Sequence, residues 1–305
     1  MNEPRHFITG RELTADELRG LIRHARELKR IGSDGPRPLQ DKSVAILLAR
    51  PSTRTRASFE VGIAELGGTP VVLRSQEIQL ARGESPRDTA LVLSRYVHAI
   101  VARPGSDAII EELARHADVP VVNALTPLHH PCQALADLMT LEERFGSLEG
   151  LRVAYIGDGN NVCHSLMLLG SAVGAEVAVA TPPELHPEQM IIDQAGDGVR
   201  LATDPKEAVT GAHAIYVDVW VSMGEEEEVE RRRRLLTPFR LDEELLAAAH
   251  EDAVALHCLP AHPGEEITEG VLYGERSAVW DQAENRLHTQ KALLEFLIGP
   301  DAGGS

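Results

Sequence analysis

The sequence predicts an α/β protein: two doubly wound domains, each a parallel sheet covered by helices, linked by interdomain helices. Three observations predict it. Continuous apolar runs of strand length recur along the chain, the mark of strands buried on both faces. Segments with helical character lie between them, so strands alternate with helices. The alternation pauses at one long helical run and then begins again. A chain of 305 residues is long enough for two such domains.

Each element has its own warrant. TADELRGLIRHARELKRIG (14–32) puts Leu18, Leu21, Ile22 and Ala25 on one helical face, with Gly32 as the stop. SVAILLA (43–49) is a continuous apolar strand, and 53–66 reads as a helix. VVLRS (71–75), AIVARP (99–104) and VPVVNAL (119–125) are strands. SPRDTALVLSRY (85–96) and DAIIEELARHA (107–117) are the helices between them. The long helix runs from Cys132 to about Phe145. The second series opens with the strand LRVAYIGD (151–158), a helix over 161–173 and the strand AEVAVATP. AHAIYVDV and DAVALHCLP supply two more strands, and a last helix covers roughly Glu284 to Leu297. The expected domains are 1–145 and 146–280. Residues 281–305 form a C-terminal helix packing back on the first domain, then a tail.

Composition excludes several function classes. Thirty basic against 47 acidic residues leave a net charge of −17, which opposes nucleic acid or an anionic membrane surface as partner. An anionic ligand therefore needs a local basic site. No apolar run approaches the roughly 18 residues that span a bilayer, and the N-terminus lacks the apolar core of a signal peptide. Cys132, Cys163 and Cys258 are far apart and odd in number, which fits a reducing cytoplasm.

One short stretch stands out against this acidic background. Ser52-Thr53-Arg54-Thr55-Arg56 packs three hydroxyls and two guanidiniums between a buried strand and a helix. The helix N-terminus offers free N–H groups and its dipole to an anion, and Arg adds planar forks suited to phosphate. An N-cap alone needs only one hydroxyl.

Four further stretches fall where strands end. HHPCQ puts His130, Pro131 and Gln133 at a helix start, where His130 can donate to an oxygen that becomes anionic; a structural His-Pro is the plain alternative. GDGNN (157–161) invites a dinucleotide reading, but Gly157 and Gly159 have no third glycine and the next strand ends without an acid, so no nicotinamide cofactor is expected. In DVWVSMG, Asp218 and Ser222 suit an ammonium, against a turn Asp with a capping Ser. In LHCLP, a zinc ion held by His257, Cys258 and His262 is not expected, because adjacent strand residues point to opposite faces. The block EEEEVERRRR (225–234) reads as a solvated helix pairing Glu227 with Arg231, Glu228 with Arg232 and Glu230 with Arg234.

STRTR, HPCQ, DVWVSMG and HCLP, in this order and spacing, resemble the aspartate/ornithine carbamoyltransferase family over essentially the whole chain. SMG with HCLP resembles its ornithine branch; aspartate members usually carry HPLPR in place of HCLP. The resemblance implies that Ser52, Thr53, Arg54 and Thr55 bind the phosphate of carbamoyl phosphate, and that Arg103 bridges phosphate and carbamoyl oxygen. It gives the carbamoyl group to His130, Gln133 and Arg286, and a place in the neighbouring subunit's site to Gln79. It gives the amino-acid end of ornithine to Asn161, Asp218, Ser222 and Met223, and the side-chain amine to Cys258 and the Leu259 carbonyl. A cis Leu259-Pro260 bond is implied as well.

The implied reaction is attack of an uncharged amine on a carbamoyl carbon with phosphate leaving, and it calls for no metal and no cofactor. Arg54, Thr55, Arg103, His130 and Cys258 are the expected catalytic residues, with Cys258 as a thiolate that helps set the amine's protonation. A cytoplasmic homotrimer with shared sites is implied. The alternatives are a carbamoyltransferase for another amine such as putrescine, or a non-catalytic member of the family.

Overall fold

The computed structural model describes residues 3–74, 83–221 and 229–300. Gln79, Ser222 and Met223, like Glu227 and Glu228 of the charge block, lie outside the described residues. The chain divides into two compact units, 1–139 with 285–305, and 140–284. The division falls inside two helices.

The first unit holds α1 (Ala15–Ile31), β1 (Ser43–Leu48), α2 (Thr53–Glu65), β2 (Thr69–Arg74), α3 (Pro86–Leu93), β3 (Ala99–Arg103), α4 (Asp107–His116) and β4 (Val121–Asn123). α5 (Pro131–Phe145) begins in this unit and ends in the second. The four strands form a parallel sheet in the order β2-β1-β3-β4. All but the first residue of β1 are buried, which is why it reads as an apolar run without alternation. Ala45, Leu47, Ile100 and Ala102 of the sheet pack with Ala90, Ile110 and Leu113 from α3 and α4. α1 starts with a capping box, in which Thr14 and Glu17 satisfy each other's backbone N–H groups, and buries Leu18, Leu21, Ile22, Ala25 and Leu28. Each leucine or isoleucine so buried stabilises the fold by about 1.5–3 kcal/mol.

The second unit continues with β5 (Arg152–Ile156), α6 (Asn161–Ala172), β6 (Glu176–Ala180), α7 (Gln189–Ala195), β7 (Val199–Ala202), α8 (Pro205–Val209) and β8 (Ala214–Val217). α9 (Val229–Leu236), α10 (Glu243–Ala247), β9 (Val254–His257) and α11 (Glu269–Leu272) complete it, and α12 (Val279–Ile298) runs back into the first unit. Its parallel sheet has the order β7-β6-β5-β8-β9. Ile156, Ile215, Val217, Phe239, Leu241 and Ile267 lie in its core.

Two parallel sheets wrapped by helices are the architecture that the sequence predicts. β7, α7, α8, α10 and α11 were not expected, and α12 starts five residues before the expected Glu284. In each sheet the strand order reverses once, between β1 and β3 and between β5 and β8. Open α/β sheets bind ligands beyond the carboxyl ends of their strands at such a reversal. No helix among the described residues is long and apolar enough to cross a membrane.

Candidate active site

In the first unit the reversal brings two segments together. Ser52 occupies the N-cap position of α2, yet its side chain makes no bond to the helix's N–H groups. Its Oγ instead accepts from Nη1 of Arg103, the last residue of β3, at 3.0 Å. A hydroxyl that accepts a hydrogen bond keeps its own proton for another acceptor. The first turn of α2 contains no acidic residue, so nothing there offsets its dipole.

Thr55 is buried one turn further on, and its Oγ1 accepts from Nη2 of Arg286 at 3.1 Å. Arg286 Nη1 donates to Gln133 Oε1 at 3.3 Å, and Gln133 Nε2 donates to Asp137 Oδ1 at 2.8 Å. This chain fixes the Gln133 amide with its oxygen toward the guanidinium. Arg54 and Arg56 part company. Arg56 turns along its own helix to Glu60 at 2.9 Å, so it does not join the converging donors that the motif suggested.

His130, just before α5, is 4% exposed. Burial, with Arg286, Arg103 and Arg54 nearby, holds its pKa well below the usual imidazole value. It is therefore neutral, with one N–H to donate and no charge to repel a cation. Cys132 beside it is pushed up to about 12 by burial and stays a thiol.

The second unit repeats the arrangement with opposite charge. Asp218 follows β8 directly and is 6% exposed. Its Oδ2 accepts from Asn160 Nδ2 at 2.7 Å, while Oδ1 accepts from its neighbour's amide, Val219 N, at 2.8 Å and from Cys258 Sγ at 2.9 Å. The Cys258 sulfur is thus placed against the Asp218 carboxylate. Asn161 opens α6 next to this cluster in sequence. The Leu259-Pro260 bond is cis, and Leu259 has a φ of 59°.

The opposite-face argument for His257 and Cys258 fails on geometry. Cys258 lies past the end of β9, and ligand-type atoms of Asp218, His257 and Cys258 all fall within 4.8 Å of one another. The imidazole is nonetheless engaged on both sides. Nδ1 accepts from Leu259 N at 2.8 Å, so the ring proton sits on Nε2 and is donated to Glu266 at 3.0 Å. The charge block is also not simply a solvated face. Arg232 is buried, pairs with Asp158 of the GDGNN turn and donates to the Trp220 carbonyl at 2.7 Å. Glu230 pairs with Arg233, not with Arg234.

Sequence reasoning missed Asp137 and Arg232, and it read Asn160 only as one of an Asn pair suited to a polar small-molecule group. Asp137 stands four residues after Gln133, one helical turn, and that spacing is a usable signal. Asn160 instead caps α6 and donates to Asp218, two partners inside the protein. Nothing distinguishes Arg232 within a run of four arginines.

With this geometry in view, known proteins give a consistent match. Residues 5–143 match the family described as aspartate/ornithine carbamoyltransferase, carbamoyl-P binding domain. Residues 149–297 match its Asp/Orn binding domain. A relative from Methanoculleus marisnigri named ornithine carbamoyltransferase is 52% identical over 98% of this chain and 97% of its own. One from Pyrococcus furiosus, named as the anabolic enzyme, is 47% identical over 97% of this chain and 96% of its own. The solved ornithine carbamoyltransferase of Pyrococcus furiosus superposes with a TM-score of 0.94 at 46% identity, covering 98% of both chains. Matches of both domains and near-half identity across the chain leave one conclusion: the protein belongs to the aspartate/ornithine carbamoyltransferase family.

Proposed function

We propose that the chain is an enzyme that transfers the carbamoyl group of carbamoyl phosphate to the side-chain amine of L-ornithine, giving citrulline and phosphate for arginine biosynthesis. One observation carries the reading most directly: Arg103 and Arg286 already hold the Ser52 and Thr55 hydroxyls at the start of α2, and their charges, with that of Arg54, bear on the buried, neutral His130. That set suits a phosphate dianion with a carbonyl attached.

In this reading Ser52, Thr53, Arg54 and Thr55 hold the phosphate with Arg103, and Gln79 reaches it from a neighbouring subunit. His130, Gln133 and Arg286 hold the carbamoyl group. Asn161, Asp218, Ser222 and Met223 hold the amino-acid end of ornithine, and Cys258 and the Leu259 carbonyl meet its side-chain amine. Residues 1–145 with the C-terminal 281–305 carry the first set, and 146–280 the second. The molecule is a cytoplasmic homotrimer.

The chemistry follows from these groups. The deprotonated amine attacks the carbamoyl carbon, a C–N bond forms, and the carbonyl electron pair moves to oxygen. The Thr55 hydroxyl, Arg103 and the His130 N–H stabilise that oxyanion. The C–O bond to phosphate then breaks, and the leaving phosphate takes the proton that the nitrogen sheds. A neutral His130 suits this step, because it donates without competing with the guanidiniums for the anion.

Putrescine keeps both amines of ornithine but lacks its carboxylate, so it would use only part of the group proposed to hold the amino-acid end. Citrulline formation from carbamoyl phosphate and a panel of amines tests the reading, with ornithine the expected acceptor. Arg54→Ala should cost about 3 kcal/mol or more of transition-state stabilisation in a folded protein. Turnover of Arg54→Ala within tenfold of the unaltered enzyme would remove the phosphate assignment.

A further inference from the structure

Asn160 is placed to do two things at once. Its Oδ1 accepts from the N–H groups of Val162 at 3.0 Å and Cys163 at 3.3 Å, capping α6. The same oxygen accepts from the Tyr155 hydroxyl at 3.1 Å. Tyr155 is fully buried, and burial together with the nearby acidic groups raises its pKa well above the usual phenol value, so it remains a donor. Three donors on one side of the amide leave a single orientation. Its NH₂ must face the other way, and there Nδ2 meets Asp218 Oδ2 at 2.7 Å. The contact joins the residue before α6 to the residue after β8, across the strand reversal of the second sheet.

We propose that Asn160 is a positioning residue for the amino-acid substrate: its capped, Tyr155-anchored amide holds the Asp218 carboxylate in one rotamer, facing the α-ammonium of ornithine. The inference rests on the reading of Asp218 given above. Its basis is the oppositely directed use of one side chain. Capping needs only the oxygen, and Ser, Asn and Asp serve comparably well there. Only the nitrogen serves Asp218. Substitutions therefore separate the two roles. Asn160→Ser keeps a capping oxygen and removes the donor to Asp218. Asn160→Asp keeps the cap and sets a second carboxylate against the first.

The test uses the full-length enzyme and steady-state kinetics in both substrates, with a melting curve for each variant. Asn160→Ser should melt close to the unaltered protein. Its KM for ornithine should rise about tenfold, the low end of what a hydrogen bond to a charged group contributes, with kcat and the KM for carbamoyl phosphate nearly unchanged. Asn160→Asp should raise the ornithine KM further, at a lower melting temperature, because its carboxylate faces that of Asp218. In an Asp218→Asn background, Asn160→Ser should add little, because it acts through the charge already removed. Wild-type ornithine KM in both cap-preserving variants would reduce Asn160 to a helix cap and overturn the proposal. If Asn160→Ser melts early, Tyr155→Phe gives the second reading. It removes the anchoring hydroxyl while keeping the ring against Tyr216, whose centroid lies 5.7 Å away, and an unchanged ornithine KM there counts against the proposal. A failure of the underlying reading looks different: Asp218→Asn by itself would leave ornithine binding intact.

Discussion

His130 shows how strongly a few neighbours determine what one residue can do. Burial is the first cause of its lowered pKa, and Arg286, Arg103 and Arg54 add to it in that order. The consequence extends to stability. In the unfolded chain a histidine takes its proton near pH 6.5. In the folded chain His130 resists that proton until a lower pH. As pH falls below about 6.5 the unfolded state binds the extra proton and folding loses stability, by at most about 1.4 kcal/mol per pH unit for one group. His6 and His213 are lowered too, while the Glu295 hydrogen bond raises His24. The slope of the unaltered protein therefore mixes several groups, and the comparison with His130→Asn isolates one. Between pH 6.5 and 5 the variant should lose melting temperature less steeply than the parent. Parallel slopes would mean that His130 titrates normally in the fold. At this scale the sequence was informative where a residue type is costly out of context. Arg54, His130 and Asp218 announced themselves as charged or titratable groups beside strand ends, and Arg103 came only with the family resemblance. Asp137 did not, because it looks locally sufficient as a polar helix residue.

The connection between β5 and α6 makes the same point for an element. GDGNN looked like a phosphate-type glycine loop that had lost its third glycine. Its glycines have structural reasons instead. Gly157 sits at a φ of 128°, where side chains are strained. A Cβ on Gly159 would lie 2.3 Å from the Pro187 nitrogen and 2.6 Å from the Leu185 carbonyl, with which Gly159 N already bonds at 2.8 Å. These are backbone atoms and cannot swing aside. Gly159→Ala should thus destabilise by about 1–3 kcal/mol, as overpacking does, and displace the neighbouring Asn160. Chemical denaturation beside ornithine kinetics checks it, and an unchanged midpoint would show that the loop has room. The Arg232–Asp158 pair ties the same turn to α9, which no pattern in EEEEVERRRR revealed. Long amphipathic helices such as α1 were plain in the sequence. α12 was clipped at its start because its polar residues are not its outer face: Gln282, Asn285, Arg286, Thr289, Gln290 and Lys291 are all buried. Burying polar groups erases the contrast on which periodicity depends. β7 was missed for the complementary reason, since three of its four residues are at least partly exposed.

The chain does not keep its two units in sequence order, and that has a consequence for the whole molecule. Residues 285–305 belong with 1–139, although the whole of 140–284 intervenes. The returning half of α12 is bound into the first unit by more than its ends. Leu293, Leu294, Leu297 and Ile298 are buried. Lys291 pairs with Glu65 of α2 at 2.7 Å, with the lysine side chain 3% exposed. Lys29 of α1 donates to Asn285 at 2.8 Å. Four buried aliphatic side chains contribute about 1.5–3 kcal/mol each, roughly 6–12 kcal/mol together, against a total stability of about 5–15 kcal/mol for a typical domain. Removing them leaves little net stability, and it also exposes Glu65 and deletes Arg286, the donor to Thr55 and Gln133. A chain ending after Glu284 should therefore fail to fold its first unit and bind no carbamoyl phosphate, while residues 140–284, all still present, retain a cooperative transition of their own. A chain ending after Pro300 keeps every contact named here and should melt and turn over as the full chain does. Calorimetry of the three forms, with titration of carbamoyl phosphate into each, separates the outcomes. If the chain ending after Glu284 bound carbamoyl phosphate within tenfold of the full protein, the C-terminal helix would be an accessory to the first unit and not part of its core.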